Sequence, residues 1–460
     1  MALSGPNGTG SPPYSYTEAI GVLNAAVRFG IHPSLEYIRA LTATLDRPQD
    51  AYACIQITGT NGKSSTTRMA AALLAAHGHR TGTYTSPELE SMTERIELDG
   101  TPVSEADFAR AVFAASSAEH GAREAGVLPH DARVTQFELL TTAALWLFRE
   151  CDVNTACLEV GMGGRWDATS VVSPAVAVIT GVALDHTDRL GTTREAIAED
   201  KAHIIKQGSI VVLGPGTAGV EEVILARAEA CGARVCAVRA HGAPSPVAES
   251  DTVRFEVTAR PTEPGGFTTL DAAGAHGAYR GLRLRAPAYQ AENAATALAA
   301  AQAALGRALD VEAARAAFAA LVLPGRFELV RAVPPVVLDG AHNPQAAGVL
   351  ATAIADAWPE PDKRPALLLG ILSDKDAPGI VEALAEQVGE IAVTRSASAR
   401  ALPAEELARI VADVTGREPR VFADVRDALE SLVANCPRGL VVTGSITTAG
   451  EARGALRAFC

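Results

Sequence analysis

Several features that would place this chain in a membrane or an exported class are missing from its sequence. No apolar run approaches the roughly 20 residues needed to cross a bilayer. The opening stretch, MALSGPNGTGSPPYSY, lacks the basic start and apolar core of a secretory signal. We therefore expect a cytoplasmic protein without a membrane partner, in which residues 1–16 form a flexible tail.

Paired cysteine motifs are missing as well. The seven cysteines include Cys151 with Cys157 and Cys231 with Cys236, and neither spacing matches a zinc-binding pair or a redox Cys-x-x-Cys motif. Reduced and mostly buried thiols are the expected state. An excess of basic charge is also lacking, because 40 Lys and Arg stand against 53 Asp and Glu, for a net charge of -13. Such a chain repels polyanions, so nucleic acid is not an expected partner, whereas a cleft can still bind ATP.

The length and composition indicate a folded protein of more than one domain. A chain of 460 residues exceeds what one hydrophobic core usually organises, and 48% hydrophobic with 20% charged residues is ordinary globular composition. Short β-branched runs alternate with Ala-rich helical segments, which is typical of α/β proteins. In the first part, the expected strands are Ala53 to Thr58, Thr155 to Val160, Val176 to Gly181 and Ser209 to Leu213.

The texture of the sequence changes twice after these strands. From Asp251 to Pro287 the residues alternate as in antiparallel hairpins, which predicts an antiparallel edge, and Ala291 to Gly306 then predicts a helix. A second series of strands is expected at Val336 to Leu338, Ala366 to Leu369, Ile391 to Thr394 and Leu440 to Thr443. We predict a first domain with a mostly parallel sheet over residues 17–323, and a smaller α/β domain over 324–460. Leu323-Pro324-Gly325 marks the boundary.

The strongest local signal is CIQITGTNGKSSTTRMAAALL, a buried strand followed by a glycine turn and a helix. Gly59 and Gly62 allow backbone N–H groups to face phosphate, Lys63 supplies a cation and Ser64 offers a hydroxyl to Mg²⁺. Ile57 stands where the general motif has its first glycine, so this loop is a shortened variant. An ordinary strand-to-helix turn is the competing interpretation.

Two further patterns follow predicted strands. In TACLEVGMGGRWDATS, Glu159 comes at the tip of a strand and could hold Mg²⁺, or could merely cap a helix. In VAVITGVALDHTDRLGTTREAIAEDKAHIIKQG, Asp185 and His186 follow a strand and Lys201 lies on the next helix. An Asp-His pair is more often structural and a helical lysine is more often solvated, so this pattern alone is weak.

Together with other segments, these patterns resemble the bacterial folylpolyglutamate synthase and dihydrofolate synthase family of the Mur ligase superfamily. The segments are GTNGKSS, TSPELESMTERI, TQFELLTTAAL, LEVGMGGRWDAT, DHTDRLG with KAHIIK, PGRFE, LDGAHNP and SDKD. They occur in the family's order and span nearly the whole chain. The resemblance implies the Mur ligase architecture, in which a phosphate-loop ATPase domain is followed by a smaller Rossmann-like α/β domain. It also implies an ATP-dependent ligase that forms an amide bond through an acyl phosphate.

The resemblance also implies roles for individual residues. The ATP-binding residues of the loop would be Gly59, Thr60, Asn61, Gly62, Lys63, Ser64 and Ser65. Those elsewhere would be Gln290 and Asn293 near adenine, with Arg326, Asp339 and His342 from the second domain. The ligands of two Mg²⁺ ions would be Ser64, Ser86 and Glu159 for the first, and His186 and a carbamylated Lys201 for the second. Lys63, His186 and Lys201 would be catalytic.

By the same resemblance, the partners are ATP, L-glutamate and dihydropteroate or a folate-like acceptor, and we expect a monomer. The sequence departs from the family at Glu88, where TSPHL is usual, at Tyr289, where a histidine is usual, and at His203, where a glycine is usual. Glu88 and Tyr289 are candidate acceptor-binding residues, although Glu88 could instead pair with Arg95. The departures favour an alternative, a Mur-type ligase acting on a different acid. A nucleotide-binding protein without turnover and a phosphate-loop kinase are further alternatives.

Overall fold

The structure is a computed structural model that describes residues 14–26 and 33–458. The predicted tail lies outside the described residues up to position 13. Helix α1 begins at Tyr16, and its Ser15 cap and Glu18 form a reciprocal capping box. Ser15 and Tyr16, which the prediction assigned to the flexible tail, therefore cap and begin this helix.

The first of two sheets contains eleven strands among the described residues. They are β1 Ala53–Thr58, β2 Thr81–Tyr84, β3 Ile96–Leu98, β4 Thr101–Pro102, β5 Thr155–Glu159, β6 Val176–Gly181, β7 Ile210–Gly216, β8 Arg234–Ala240, β9 Thr252–Ala259, β10 Thr268–Gly274 and β11 Gly277–Leu284. Their order is β11-β10-β9-β8-β7-β6-β1-β5-β2-β3-β4. Strand β1 is central and pairs in parallel with β5 and β6. This pairing brings the carboxyl ends of the central strands to one edge.

Antiparallel pairs close both sides of this sheet. Strands β9, β10 and β11 form the antiparallel edge that alternation predicts. A second antiparallel edge, β2-β3-β4, is not anticipated by the sequence patterns. The described helices around the sheet are α1 Tyr16–Ala25, α2 Glu36–Thr44, α3 Lys63–Ala76, α4 Glu105–Glu124, α5 Gln136–Glu150, α6 Thr187–Leu190, α7 Arg194–Ala202, α8 Glu221–Ala230, α9 Gln290–Leu305 and α10 Val311–Ala320.

Both faces of this sheet are covered, which explains the near-continuous burial of its parallel strands. One apolar cluster joins the sheet to α3, α9 and α10, and a second joins it to α1, α4 and α5. The alanines of α9 allow the helix to pack close to α3, as expected from its composition. Of the six described cysteines, all are free thiols and four are buried.

The second sheet contains six strands in the order β12-β13-β17-β14-β15-β16. They are β12 Glu328–Ala332, β13 Pro335–Leu338, β14 Ala366–Leu369, β15 Ile391–Val393, β16 Arg420–Val421 and β17 Leu440–Thr443. Only β12 runs antiparallel to its neighbour. The helices are α11 Pro344–Ala357, α12 Ala377–Ala385, α13 Ala404–Thr415, α14 Val425–Asn435 and α15 Ile446–Ala458. The predicted α/β class with a smaller Rossmann-like unit is confirmed.

The predicted strands agree with the observed ones to within a few residues. The longest difference is β7, which extends beyond Leu213 to Gly216. The proposed boundary at Leu323-Pro324-Gly325 lies between the end of α10 and the start of β12. No helix in residues 14–26 and 33–458 is both long and apolar enough to cross a membrane.

The Tyr279 hydroxyl offers a test of the core beneath the antiparallel edge. It accepts hydrogen bonds from Leu309 N at 2.8 Å and Gln302 Nε2 at 2.9 Å, and Tyr279 is 1% exposed. Tyr279→Phe leaves both donors buried without a partner, so we expect the free energy of unfolding to fall by about 1–3 kcal/mol in urea denaturation. Tyr14→Phe is the control, because no hydrogen bond to that hydroxyl occurs within the described residues. Equal stability of the two variants would contradict the prediction.

Candidate active site

The phosphate loop connects the carboxyl end of β1 to the start of α3. Gly62 has a φ of +84°, and a Cβ there would collide with Asn293 Oδ1. A Cβ at Gly59 would collide with Thr180 Oγ1. Only glycine fits at these two positions, because the loop passes directly over α9 and the end of β6.

Lys63 opens α3 and folds back over the loop. Its Nζ donates to Gly59 O at 3.0 Å and to Thr60 O at 3.2 Å. Burial lowers the pKa of Lys63, while the nearby Glu159 carboxylate opposes that shift. The ammonium group therefore lies where phosphate oxygens could replace the loop carbonyls as its partners.

Glu159 lies at the end of β5, in register with Ile57 of β1. Its carboxylate accepts from Ser64 Oγ at 2.9 Å and from the Ser86 backbone N at 3.1 Å, and the residue is 2% exposed. Burial raises the pKa of Glu159, and Lys63 is the largest opposing influence. The carboxylate thus meets a serine hydroxyl and a loop amide rather than capping a helix.

His186 and Lys201 approach the same region from the segment after β6. His186 has a φ of +48° and stands at the start of α6, with Nε2 at 3.8 Å from Asp185 Oδ2. Lys201 is 4% exposed near the end of α7, and no ion pair joins its ammonium to another described residue. Burial, and secondarily the nearby Lys63 ammonium, lower the pKa of Lys201 to about 7. The alternative interpretation of Lys201 as a solvated helical lysine is therefore wrong.

The second domain completes the site from the opposite side. Asp339 follows β13 and accepts from Phe327 N and Ala341 N, each at 2.8 Å, and the Tyr289 hydroxyl lies 3.4 Å from it. These bonds position the backbone that carries Arg326 and His342. In the first domain, Gln290 Nε2 donates to Ser65 Oγ at 3.2 Å, which joins α9 to the phosphate loop.

These elements enclose a cleft of about 390 Å³. The predicted residues that line it are Thr60, Asn61, Gly62, Lys63, Ser64, Ser65, Ser86, Glu159, His186, Tyr289, Gln290, Asn293, Arg326, Asp339 and His342. Gly59, Glu88 and Lys201 do not line this cleft. Glu88 instead forms an ion pair with Arg95 at 2.5 Å, which is the alternative that the sequence left open.

Several residues of the cleft are not singled out by the sequence patterns, and two of them, Thr180 and Gln345, form hydrogen bonds with Asn61 of the phosphate loop. Asn61 Nδ2 donates to Gln345 Oε1 at 2.9 Å, a hydrogen bond between the phosphate loop and α11 of the second domain. Thr180 Oγ1 donates to Asn61 O at 2.6 Å. Thr180 lies in the predicted strand β6, and Gln345 directly follows the LDGAHNP segment. Their closeness to predicted elements was the sequence signal that could have identified both residues.

The oxygen groups around Glu159 fit a magnesium ion bound beside phosphate. Mg²⁺ prefers hard oxygen ligands and takes few of them from protein when a nucleotide supplies others. Ser64 and Glu159 offer a hydroxyl and a carboxylate next to the loop. No group of three or more His, Cys, Asp or Glu side chains is arranged to hold a metal among the described residues.

Two regions of the chain match known protein domains. Residues 57–214 match the Mur ligase middle domain, and residues 325–445 match the Mur ligase, glutamate ligase domain. A dihydrofolate synthase/folylpolyglutamate synthase of Mycobacterium tuberculosis is 38% identical over 456 residues, covering 92% of this chain and 90% of the relative.

Two solved structures extend the comparison. Escherichia coli FolC in complex with DHPP and ADP has a TM-score of 0.83 and 29% identity, covering 98% of this chain and 100% of that one. A bifunctional folylpolyglutamate synthase/dihydrofolate synthase with Mn, AMPPNP and L-glutamate bound has a TM-score of 0.81 and 29% identity, covering 98% and 100%.

The two α/β domains and the matches to both Mur ligase domains define an ATP-dependent, amide-bond-forming ligase of the Mur type. The kinase alternative is wrong, because the second domain matches a glutamate ligase family. Within this class, the chain belongs to the dihydrofolate synthase/folylpolyglutamate synthase family.

Lys63→Ala tests the assignment of the phosphate loop. We expect phosphate release from ATP to fall by more than about 100-fold, because the lysine is the cation nearest the loop and charge stabilisation dominates phosphoryl transfer. The thermal unfolding midpoint should stay close to that of the wild type, since Lys63 belongs to no apolar cluster. Lys363→Ala is the control, because Lys363 is exposed and pairs only with Glu360. A folded Lys63→Ala protein with wild-type phosphate release would reject the assignment.

Proposed function

We propose that this ligase joins L-glutamate to dihydropteroate or to a folate acceptor. The observation that carries the proposal is the cleft in which Lys63, Glu159 and His342 converge from two domains. Relatives that span nearly the whole chain are named for this activity, and solved neighbours hold DHPP, ADP and L-glutamate. The cytoplasmic location and the monomeric state stay predictions.

The chain's own groups suit phosphoryl transfer followed by amide formation. The acceptor carboxylate attacks the γ-phosphate of ATP and ADP leaves, with Lys63 stabilising the charge on the transferring group. The glutamate amine then attacks the acyl phosphate, loses a proton and expels phosphate. Residues from both domains line the cleft, so closure would exclude the water that competes with the amine.

Bound magnesium would neutralise developing phosphate charge. We propose that Ser64, Ser86 and Glu159 hold a first ion, because the serine hydroxyl and the carboxylate lie 2.9 Å apart beside the loop. We assign His186 and Lys201 to a second ion. A divalent metal accompanies nucleotide and glutamate in one solved neighbour.

Lys201 would serve this role as a carbamate. The ammonium first loses a proton, and the neutral amine then attacks CO₂ and loses a second proton. The product is a carbamate, an anionic oxygen ligand in place of a cation. A pKa of about 7 keeps much of the amine neutral near physiological pH. Burial at 4% exposure also disfavours an uncompensated ammonium.

The residues that depart from the family bear less on the acceptor than the sequence implied. Glu88 is engaged by Arg95, and Tyr289 lies beside Asp339 in the nucleotide cleft. His203 Nδ1 lies 2.8 Å from Glu199 O. We therefore favour the folate-type acceptor over a different acid.

Phosphate release with a panel of acids tests this function. We expect glutamate-dependent release with dihydropteroate or tetrahydrofolate, and little release with unrelated carboxylic acids, because the pocket must position the attacking carboxylate. With the Glu88→His variant, the ratio of turnover between acceptors should be unchanged, because the Glu88 carboxylate is paired with Arg95 and not with the acceptor. Turnover confined to a non-pteridine acid would favour the alternative ligase. A changed ratio would return Glu88 to the acceptor site.

The carbamate is tested by labelling and substitution. Lys201→Ala should lower turnover by more than about 100-fold while ADP binding stays near wild type, because the missing group acts on the transferring phosphate. Lys201→Glu should recover part of the turnover by supplying a carboxylate. The wild type with ¹³C-bicarbonate should show a carbamate carbon signal that Lys201→Ala lacks. A signal identical in both proteins would remove the carbamate from the mechanism.

A further inference from the structure

A short segment of the first domain contacts both the phosphate site and the second domain. Residues 85–95, here called the bridging segment, connect β2 to β3 and end in a tight turn at Met92–Arg95. At the near end, Ser86 N donates to the Glu159 carboxylate at 3.1 Å. Thr85 Oγ1 accepts from Arg68 of α3 at 3.0 Å. The segment is thus tied to the helix that carries the phosphate loop.

The far end of the segment is seated on α15 of the second domain. The Leu89 side chain packs against the apolar cluster beneath α14 and α15. Its carbonyl oxygen lies so close to Gly450 that a Cβ there would collide with it. A Cβ at Gly325 would lie 3.1 Å from Leu89 Cδ1. Leu89 is therefore held between α15 and the start of the second domain.

An ion-pair cluster surrounds this contact. Arg453 of α15 lies 3.1 Å from Glu328 and 3.7 Å from both Glu90 and Glu94, and its side chain is 17% exposed. Arg457 lies 3.0 Å from Glu90. Partly buried charges of this kind are costly to leave unpaired, so the cluster favours the observed seating of the two domains.

The cluster also extends toward the nucleotide cleft. The second Glu328 oxygen accepts from Gly325 N at 2.8 Å, next to Arg326, which lines the cleft. The Glu94 carboxylate accepts from the Leu89 and Glu90 amides at 2.8 and 3.1 Å, which makes the far end rigid. Ser86 and Leu89 are only three residues apart, a span of at most about 11 Å. A displacement of Leu89 therefore has only two intervening residues over which to dissipate before it reaches Ser86.

We propose that the bridging segment couples the seating of the second domain to the geometry around Glu159, with Gly450 and Arg453 as positioning residues for ligation. Seating of α15 holds Leu89, and Leu89 holds Ser86 against Glu159. Loss of the seating would loosen the phosphate site and admit water to the acyl phosphate. This inference rests on the proposed ligation for one of its readouts.

Two glycines one helical turn apart on α15 provide a matched test. Gly450 is buried against Leu89 O, whereas Gly454 is exposed and a Cβ there meets only the end of the Glu90 side chain at 3.4 Å. Alanine favours the helix at both positions, so intrinsic helix stability cannot fall in either variant. Only Gly450→Ala should push the bridging segment off the second domain.

We expect Gly450→Ala to lower kcat by about 10- to 100-fold, to raise KM for ATP, and to raise the ADP formed per amide at least about twofold. Gly454→Ala should stay within about twofold on all three. Arg453→Ala should reproduce the Gly450→Ala pattern, and Arg453→Lys should recover part of it by retaining the charge. If Gly450→Ala does not fold, the two Arg453 variants carry the same comparison.

A purely structural contact predicts a different result. It would lower the unfolding midpoint of Gly450→Ala and Arg453→Ala while kcat, KM and the ADP-to-amide ratio of the folded fraction match Gly454→Ala, which would overturn the proposal. If the wild type forms no amide with dihydropteroate or tetrahydrofolate, the proposed function fails by itself. In that case, ADP binding measured by calorimetry tests the coupling. Weaker binding by Gly450→Ala and Arg453→Ala than by the wild type and Gly454→Ala would support the proposal, and equal binding by all four proteins would reject it.

Discussion

The hydrogen bonds to the buried Glu159 carboxylate hold the parts of the site together. A carboxylate at 2% exposure is costly unless donors and cations compensate for lost water. Here a hydroxyl from α3, an amide from the bridging segment and the nearby Lys63 share that task. Ser64 and Lys63 belong to the start of α3 and Ser86 belongs to the bridging segment, so satisfying this one group aligns the phosphate loop with the segment after β2.

The sheet places that carboxylate where phosphate chemistry can occur. Because β1 and β5 pair in parallel, Ile57 and Glu159 end at the same edge, and the loop that follows β1 begins beside the carboxylate. Open parallel sheets bind ligands at this edge, where helix N-termini and strand ends meet. The close approach of Gly62 to Asn293 then brings α9 over the loop. The cleft is consequently formed by several packed elements and not by the loop alone.

The second domain encloses the cleft on the side opposite the phosphate loop. Asp339 holds the backbone at Phe327 and Ala341, so Arg326 and His342 face the cleft from a rigid support. Asn61 and Gln345 join the two sides directly. An acyl phosphate survives only where water is excluded, which gives a chemical reason for two domains and for contacts between them. The contacts of α15 with Leu89 and Glu90 join the two domains at the outer edge of this interface.

Local sequence patterns were enough to predict most of the long buried strands, the phosphate loop and the family, but not the β2-β3-β4 edge. Buried parallel strands read as continuous apolar runs, and motif residues such as Gly62 and Lys63 follow their ends, so local patterns suffice there. Longer-range contacts were beyond such patterns. The pairing of Glu88 with Arg95, the burial of Lys201 and the bond between Asn61 and Gln345 depend on how separate elements pack. These features follow from the tertiary structure, because the charge state, exposure and partner of a side chain depend on neighbours that are distant in the sequence.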